Sequence, residues 1–260
     1  MDSYGVLVTR TLYDKTRTVC EWIGYDGLMK DSIWTRKRAA APARETLSRE
    51  QIVQTAMTTL DAEGLAGLSI RKLAAKLGAG ATSLYWHVPT KDDLIDLLID
   101  EIWGEIDVPD PALAGWRNGA LLFGHSLRAA VLRHHWLPEV MYTRPSIGPN
   151  AMTMGSRGLV LFGAAGFTGK DLDYAMGSVM AYTLGTASAE VATREITSRS
   201  GRSLTEWAGE VIQQAEAVAD PTMREALNRR VARDIDTTFS ESFSFGLEAL
   251  LDGLEIRVKK

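Results

Sequence analysis

Thr82, Ser83, Tyr85, Trp86 and His87 place five hydrogen-bonding side chains within two helical turns, interrupted only by Leu84. A core helix would alternate such groups with aliphatics. Hydroxyls, an indole N–H and an imidazole at this density suit contacts to phosphate oxygens and base edges. Just upstream, Arg71, Lys72 and Lys76 stand outside the apolar stripe Ile70, Leu73, Ala74, Leu77, whose i, i+3, i+4, i+7 spacing predicts a helix. The chemistry offered is recognition of a polyanion; the alternative is an exposed helical hairpin of some other all-α protein. Catalysis finds little support. There is no apparent Ser-His-Asp set, no glycine-rich phosphate loop and no His/Cys cluster at metal spacing. His134 and His135 are adjacent, so on a helix they point about 100° apart and chelate poorly. No enzyme activity, cofactor or metal is expected.

Short helices must position these groups. Ser69 suits the N-cap of the first, where its hydroxyl can accept an unpaired amide proton. Gly78 follows Leu77, where a chain leaving a helix at positive φ favours glycine. The second helix spans residues 82–87 and ends before Pro89. Two short helices around Gly78-Ala79-Gly80 read as a helix-turn-helix, whose second helix enters the major groove. Upstream, Ser48 with Gln51 forms a capping-box pattern ahead of the stripe Ile52, Val53, Ala56, Met57, Leu60, and Gly64 supplies a stop. Downstream, Thr90 caps a fourth helix with the stripe Leu94, Leu97, Leu98, Glu101, Ile102. Asp92 and Asp93 sit at that helix's positive end.

Charge is distributed accordingly. The net charge is −4, yet residues 30–91 hold ten Lys or Arg against five Asp or Glu, while residues 92–260 hold sixteen against twenty-four. A basic segment of net +5 attached to an acidic body of net −8 is a footprint of nucleic-acid binding. Cys20 is the only cysteine, which rules out an intrachain disulfide and fits a reducing, cytoplasmic setting. No apolar run approaches the roughly 18 residues of a membrane span, and the first residues lack a signal-peptide layout. A soluble protein with no membrane partner is expected.

Residues 1–28 carry no motif. Met29 looks like a plausible genuine start, so the preceding segment is expected to be dispensable. In residues 30–46, Arg36, Lys37, Arg38 and Arg44 stand among alanines and Pro42, with little apolar surface to bury. This segment is expected to be mobile in the free protein. It reads either as an arm following the minor groove or as a solvated linker. Three segments result: an N-terminal extension (1–46), a helix-turn-helix domain (47–107) and, past Pro109 and Pro111, a larger helical body (108–260). Helices are expected there at 116–134, 150–163, 170–194, 204–219, 222–234 and 237–258. The fold class is all-α.

The run SIRKLAAKLGAGATSLYWHVPTKDDLIDLL resembles the DNA-binding motif of TetR-family repressors, with SLYWHV nearest the tetracycline-repressor branch. The basic segment is similar to the arm of simocyclinone-type efflux repressors of that family. The resemblance implies a homodimeric transcriptional repressor on double-stranded operator DNA, its body binding a small-molecule effector, with helix 4 joining the two functions. Arg71 aligns with a base-reading arginine. Ala81 and Thr82 replace a base-reading Gln and a Pro, so the operator sequence should differ. Ser69, Ser83, Tyr85, Trp86, His87 and Lys91 align as phosphate-side contacts.

For the effector, the body concentrates aromatics and thioethers. Trp116, Phe123, His125, Trp136, Met141, Arg144, Met152, Tyr174 and Met180 are the candidate ligand contacts, each with an ordinary helical core as the alternative. Thr143-Arg144-Pro145 matches the ligand-side hinge of the tetracycline repressor. That repressor's metal–drug chelating groups are not matched: residues 104–107 contain no His, and Phe123 stands where an Asn is expected. Dimerisation is expected through helices 170–194 and 237–258, using Met180, Leu184, Phe243, Leu247, Leu250 and Leu254. A small hydrophobic, antibiotic-like molecule releasing the repressor from a palindromic operator is the expected function. A constitutive dimeric regulator without ligand is the alternative, and an enzyme on the same fold a distant third.

Overall fold

The computed structural model describes residues 32–36, 47–231 and 235–258; Lys37, Arg38, Arg44 and residues 1–28 lie outside them. Among the described residues every regular element is helical, as the periodicity requires, and no helix is long and apolar enough to cross a membrane. The helices are α1 (Arg49–Gly67), α2 (Ile70–Lys76), α3 (Ala81–His87), α4 (Lys91–Gly104), α5 (Pro111–Ala114), α6 (Trp116–Arg133), α7 (Leu137–Val140), α8 (Pro149–Gly163), α9 (Gly169–Ser200), α10 (Leu204–Glu216), α11 (Pro221–Val231) and α12 (Ile235–Val258). They group into two compact units. The head ends at Trp103 and also takes in Glu139–Met152; the body holds Gly104–Pro138 and the residues from Thr153 onward.

In the head, Ser48 caps α1 through the reciprocal box with Gln51, at 3.2 and 2.9 Å. The helical path breaks at Gly64 (φ 65°), where the sequence placed its end, before one further turn to Gly67. Ile52, Val53, Ala56, Met57 and Leu60 form the core with Leu73, Ala74, Leu84 and Val88, and α2 packs on both α1 and α3. Gly78 has φ 62°, which lets the chain turn between α2 and α3. Thr90 caps α4 by accepting from the Asp93 amide at 2.9 Å. One cap differs from expectation. Ser69 holds the N-cap position of α2, yet its side chain makes no capping bond, so backbone geometry alone starts that helix.

Residues 32–36 are ordered, which corrects the expectation of a mobile segment for this stretch. The amides of Thr35 and Arg36 both donate to the Ser32 carbonyl at 3.1 Å, and Ser32 and Ile33 are buried. Composition averaged over residues 30–46 hid this short apolar point.

The body centres on α6, α9 and α12, which pack on one another. Their close approach depends on glycine: a Cβ on Gly124 would lie 2.7 Å from Leu247 Cδ2. Buried Glu190 of α9 meets Arg128 of α6 at 2.5 Å and Arg194 at 2.8 Å. Most of the residues expected at the dimer face lie within this packing. Leu184, Phe243, Leu247 and Leu254 are buried within a single chain, and Met180 and Leu250 are half-buried. An i, i+4, i+7 stripe marks which face of a helix is covered, not what covers it. Here α6 and α9 of the same chain do so.

Candidate nucleic-acid interface and ligand cavity

The two exposed turns of α3 carry the donors. Thr82 is exposed, Tyr85 is 49% exposed and Trp86 57%, while Leu84 turns fully inward to the core. Ala81 and Ser83 are half-buried. Large aromatics left this open on a small helix favour a partner surface. Their geometry suits hydrogen bonding at one edge and apolar contact at the other. His87 is the exception: only 7% exposed, it lies in the head, and its carbonyl accepts from Arg49 Nη2 at 3.2 Å. Burial leaves its ring less open to a phosphate than the sequence expectation requires.

Basic groups flank α3 unequally. Lys76 reaches Glu63 at 3.0 Å and Lys72 reaches it at 3.8 Å, and the Lys76 bond holds the Glu63 carboxyl below its ordinary range. Arg71 on α2 and Lys91 at the start of α4 are exposed and make no ion pair among the described residues. They are the cations of the motif left available to an external anion. Ser69 is half-buried beside Arg71. Arg36 is committed elsewhere, pairing with Asp93 through Nη1–Oδ2 at 3.1 Å and Nη2–Oδ1 at 3.3 Å.

Asp96 and Asp100 of α4 escaped the sequence reading, and the burial of Asp93 with them did too. Asp93, Asp96 and Asp100 are all buried, at i, i+3 and i+7. A buried carboxylate needs partners. Asp96 takes Arg144, and Asp100 accepts from the amides of Asn150 at 3.2 Å and Ala151 at 2.9 Å. Burial pushes both carboxyls above their ordinary range, opposed by Arg144 for Asp96 and by those amides for Asp100. A Cβ on Gly148 would fall 2.2 Å from Asp100 Oδ1, so the chain passes here only as glycine. The spacing of three aspartates on an otherwise apolar helix was the available signal.

The expected ligand contacts are not brought together. Phe123 and Trp136 are fully buried core, Trp116 and Met180 are half-buried, and Tyr174 is exposed on α9. Met141, Arg144 and Met152 group with the head, where Met141 is buried and Met152 exposed. Of the nine, Tyr174 lines a cavity of about 850 Å³, and His125 lines a separate body cavity of about 660 Å³, with Val108, Pro109, Leu122, Ser126 and Arg157. Arg133 and Glu105 close one side at 2.5 Å, and buried His134 Nε2 lies 3.2 Å from both Glu105 oxygens. Ser126 Oγ accepts from the Asp107 amide at 2.9 Å. Val108, Pro109, Leu122, Ala129 and Ala130 supply apolar surface beside the polar Glu105, Asp107, His125, Ser126, Arg133 and Arg157, and the volume lies in the range of small-molecule sites.

A helix-turn-helix head with an open donor face, attached to an all-helical body, defines a DNA-binding transcriptional regulator. Comparison with known proteins makes this specific. Residues 52–98 match the family described as bacterial regulatory proteins, tetR family, and residues 108–258 match the tetracyclin repressor-like C-terminal domain. The chain belongs to the TetR family, whose members bind operator DNA as dimers. It is 34% identical over 232 residues to the HTH-type transcriptional repressor DrrR1 of Streptomyces coeruleorubidus, covering 87% of this chain and 84% of that one. Over 216 residues it is 30% identical to the class D tetracycline repressor protein of Escherichia coli, covering 82% and 91%. Among solved structures, ActR of Streptomyces coelicolor in complex with actinorhodin superposes with a TM-score of 0.68 at 28% identity, over 85% of this chain and 100% of ActR.

Proposed function

We propose that this regulator is a ligand-responsive repressor that binds a palindromic operator as a homodimer and leaves it when a small hydrophobic, antibiotic-like molecule occupies the body. The donor face of α3 beside Arg71 and Lys91 carries the DNA side of this reading. The effector side rests on the cavity of about 660 Å³. Glu105, Asp107 and Val108 line it and follow the last residue of α4 by one to four positions, so a ligand that reorders them acts directly on that helix. Release requires only that the ligand prefer one arrangement of α4 over the other. The similar ActR was crystallised with actinorhodin, which makes polycyclic polyketides the first class to test.

For the dimer, the outward face of α9 and α12 replaces the buried one. Gly177, Ala181, Gly185, Ala192 and Ile196 on α9, with Phe245, Ala249, Gly253 and Ile256 on α12, form exposed apolar and small-residue stripes at helical spacing. A second copy, related by a two-fold axis, is the occupant that the family's dimeric binding supplies.

A thermal-shift screen of polyketide and other hydrophobic antibiotics tests the effector reading. A binder at 100 times its Kd adds about 2.7 kcal/mol, and hits should release operator DNA. Ser126→Trp, which fills the cavity, should abolish the shift while leaving operator binding intact. Equal shifts in both proteins would move the effector site elsewhere. Tight operator binding with no responsive ligand would favour the constitutive regulator.

A further inference from the structure

We propose that residues 32–36 are a latch fastening the basic N-terminal segment to α4, and that Arg36 acts through Asp93 rather than on DNA. The proposal rests on reading Lys37, Arg38 and Arg44 as DNA contacts. Its observations are separate from that reading. Ser32 and Ile33 are buried, the turn closes on the Ser32 carbonyl, and the Trp34 amide lies 3.3 Å from Ser32 Oγ. Arg36 spends its guanidinium fork on a carboxylate that is itself 1% exposed. Asp93 also accepts the Thr90 hydroxyl at 2.8 Å, so cap and latch meet on one side chain.

The turn is also built against the loop that grips α4. Trp34 lines a gap of only about 10 Å³ with Asp96, Asp100, Arg144, Pro145 and Gly148. A space that small leaves the indole little room to shift independently of Arg144. Chain connectivity then places Lys37 directly after the anchored Arg36. With Arg36 held on α4 and the chain running on into α1, residues 37–46 are tethered at both ends, which reduces the conformational freedom to be surrendered on meeting DNA, so affinity is gained without a further phosphate contact.

A coupling experiment separates a latch from a contact. Four proteins are titrated against a duplex selected from random sequence by the wild type, at several salt concentrations: wild type, Arg36→Ala, the triple variant Lys37→Ala/Arg38→Ala/Arg44→Ala, and the combination. The triple variant should bind more weakly, with the log K against log salt slope flattened by about 0.9 for each phosphate interaction removed. Arg36→Ala alone should reproduce some of that weakening, and the combination should bind no worse than the triple variant. If Arg36→Ala subtracts its own equal increment in both backgrounds, it is an independent phosphate contact and the latch is overturned. If Arg36→Ala leaves the wild type unchanged, the latch is likewise overturned. A triple variant indistinguishable from wild type removes the DNA role of the segment instead.

Two further variants guard against loss of fold, each with its melting temperature measured. Trp34→Ala carries no charge and should weaken binding as Arg36→Ala does; unchanged affinity would count against the latch. Asp93→Asn removes a negative charge. A phosphate-contacting Arg36 predicts tighter binding once freed, whereas the latch predicts weaker binding.

Discussion

Arg144 grips Asp96 through two parallel hydrogen bonds, Nε to Oδ1 at 2.5 Å and Nη2 to Oδ2 at 2.9 Å, with Asp92 3.3 Å from Nη1. The fork-to-fork geometry is the strongest form of this pair, and it ties the loop within Glu139–Met152 to the middle of α4. Sequence reasoning placed Arg144 against a ligand. In the structure the side chain is engaged by the head's own carboxylates.

Removing that partner leaves Asp96 buried and uncompensated. Arg144→Ala should lower stability by roughly 3–5 kcal/mol at neutral pH, the usual result of breaking a buried pair from one side. Burial already raises the folded-state pKa of Asp96 above the ordinary aspartate value of 3.8, and without Arg144 it should rise further. A raised pKa means that stability from protonation is complete below the unfolded value and is lost as pH climbs through the folded one. The deficit of Arg144→Ala should therefore shrink as pH falls from 7 toward about 4. Urea denaturation across that range measures it, and a deficit that grows with acid would refute the account. Arg144→Lys keeps charge but not the fork, and should lie between the two.

Tyr182 reaches across from α9 to α12, its hydroxyl donating to the carbonyls of Phe243 at 3.0 Å and Ser242 at 3.2 Å. The ring stacks on Phe243 with centroids 5.8 Å apart. A Cβ on Gly246 would sit 2.0 Å from that hydroxyl and 2.6 Å from the ring carbon bearing it. Gly246→Ala should therefore displace the tyrosine and destabilise the body by about 1–3 kcal/mol, despite the better helix propensity of alanine. A calorimetric melt equal to or above that of the wild type would show that the ring moves freely.

The two unpaired cations of the motif should behave differently on DNA. Arg71→Ala is expected to relax specificity at one base pair per half-site, since a bidentate arginine–guanine pair discriminates by about 1–3 kcal/mol. Lys91→Ala should weaken all sequences alike and reduce the salt slope by about one unit, as a phosphate contact does. Binding to the selected operator and to a scrambled duplex, compared at one salt concentration, separates them. Equal losses on both duplexes for Arg71→Ala would end its base-reading role.

The head was legible because local rules act there without competition. Ser48 with Gln51, Gly64, Gly78 and Thr90 each do what their chemistry dictates within a few residues, and the sequence names them directly. What escaped depends on distant chain. Asp96 and Asp100 read as ordinary polar positions, and Asp93 only as a charge at the helix start, until Arg36, Arg144 and the start of α8 are seen to supply their partners. Apart from His125, the residues lining the cavity of about 660 Å³ escaped for a related reason. Aromatic and thioether content marks where apolar volume is abundant, and packing consumed Phe123 and Trp136, leaving smaller residues such as Ser126 and Ala129 at the opening.

The dimer face supplies the sharpest contrast between pattern and packing. Leu247 is 0% exposed beneath Gly124 of α6, whereas Phe245, two positions away, is 77% exposed on the opposite side of α12. Charge at the two positions should therefore have different effects. Leu247→Glu buries an unpaired carboxylate in the body core, so it should unfold the body rather than separate a pair of folded chains. Its milder relative Leu247→Ala should cost about 2–5 kcal/mol of stability through the cavity it leaves. Phe245→Glu exposes its charge in the free monomer and should leave the far-ultraviolet helical signal intact while shifting sedimentation from dimer to monomer. Operator binding should fall with it, because a palindrome is read by two heads at fixed spacing. If Phe245→Glu sediments as the wild type does at micromolar concentration, the outward stripes of α9 and α12 are not the interface.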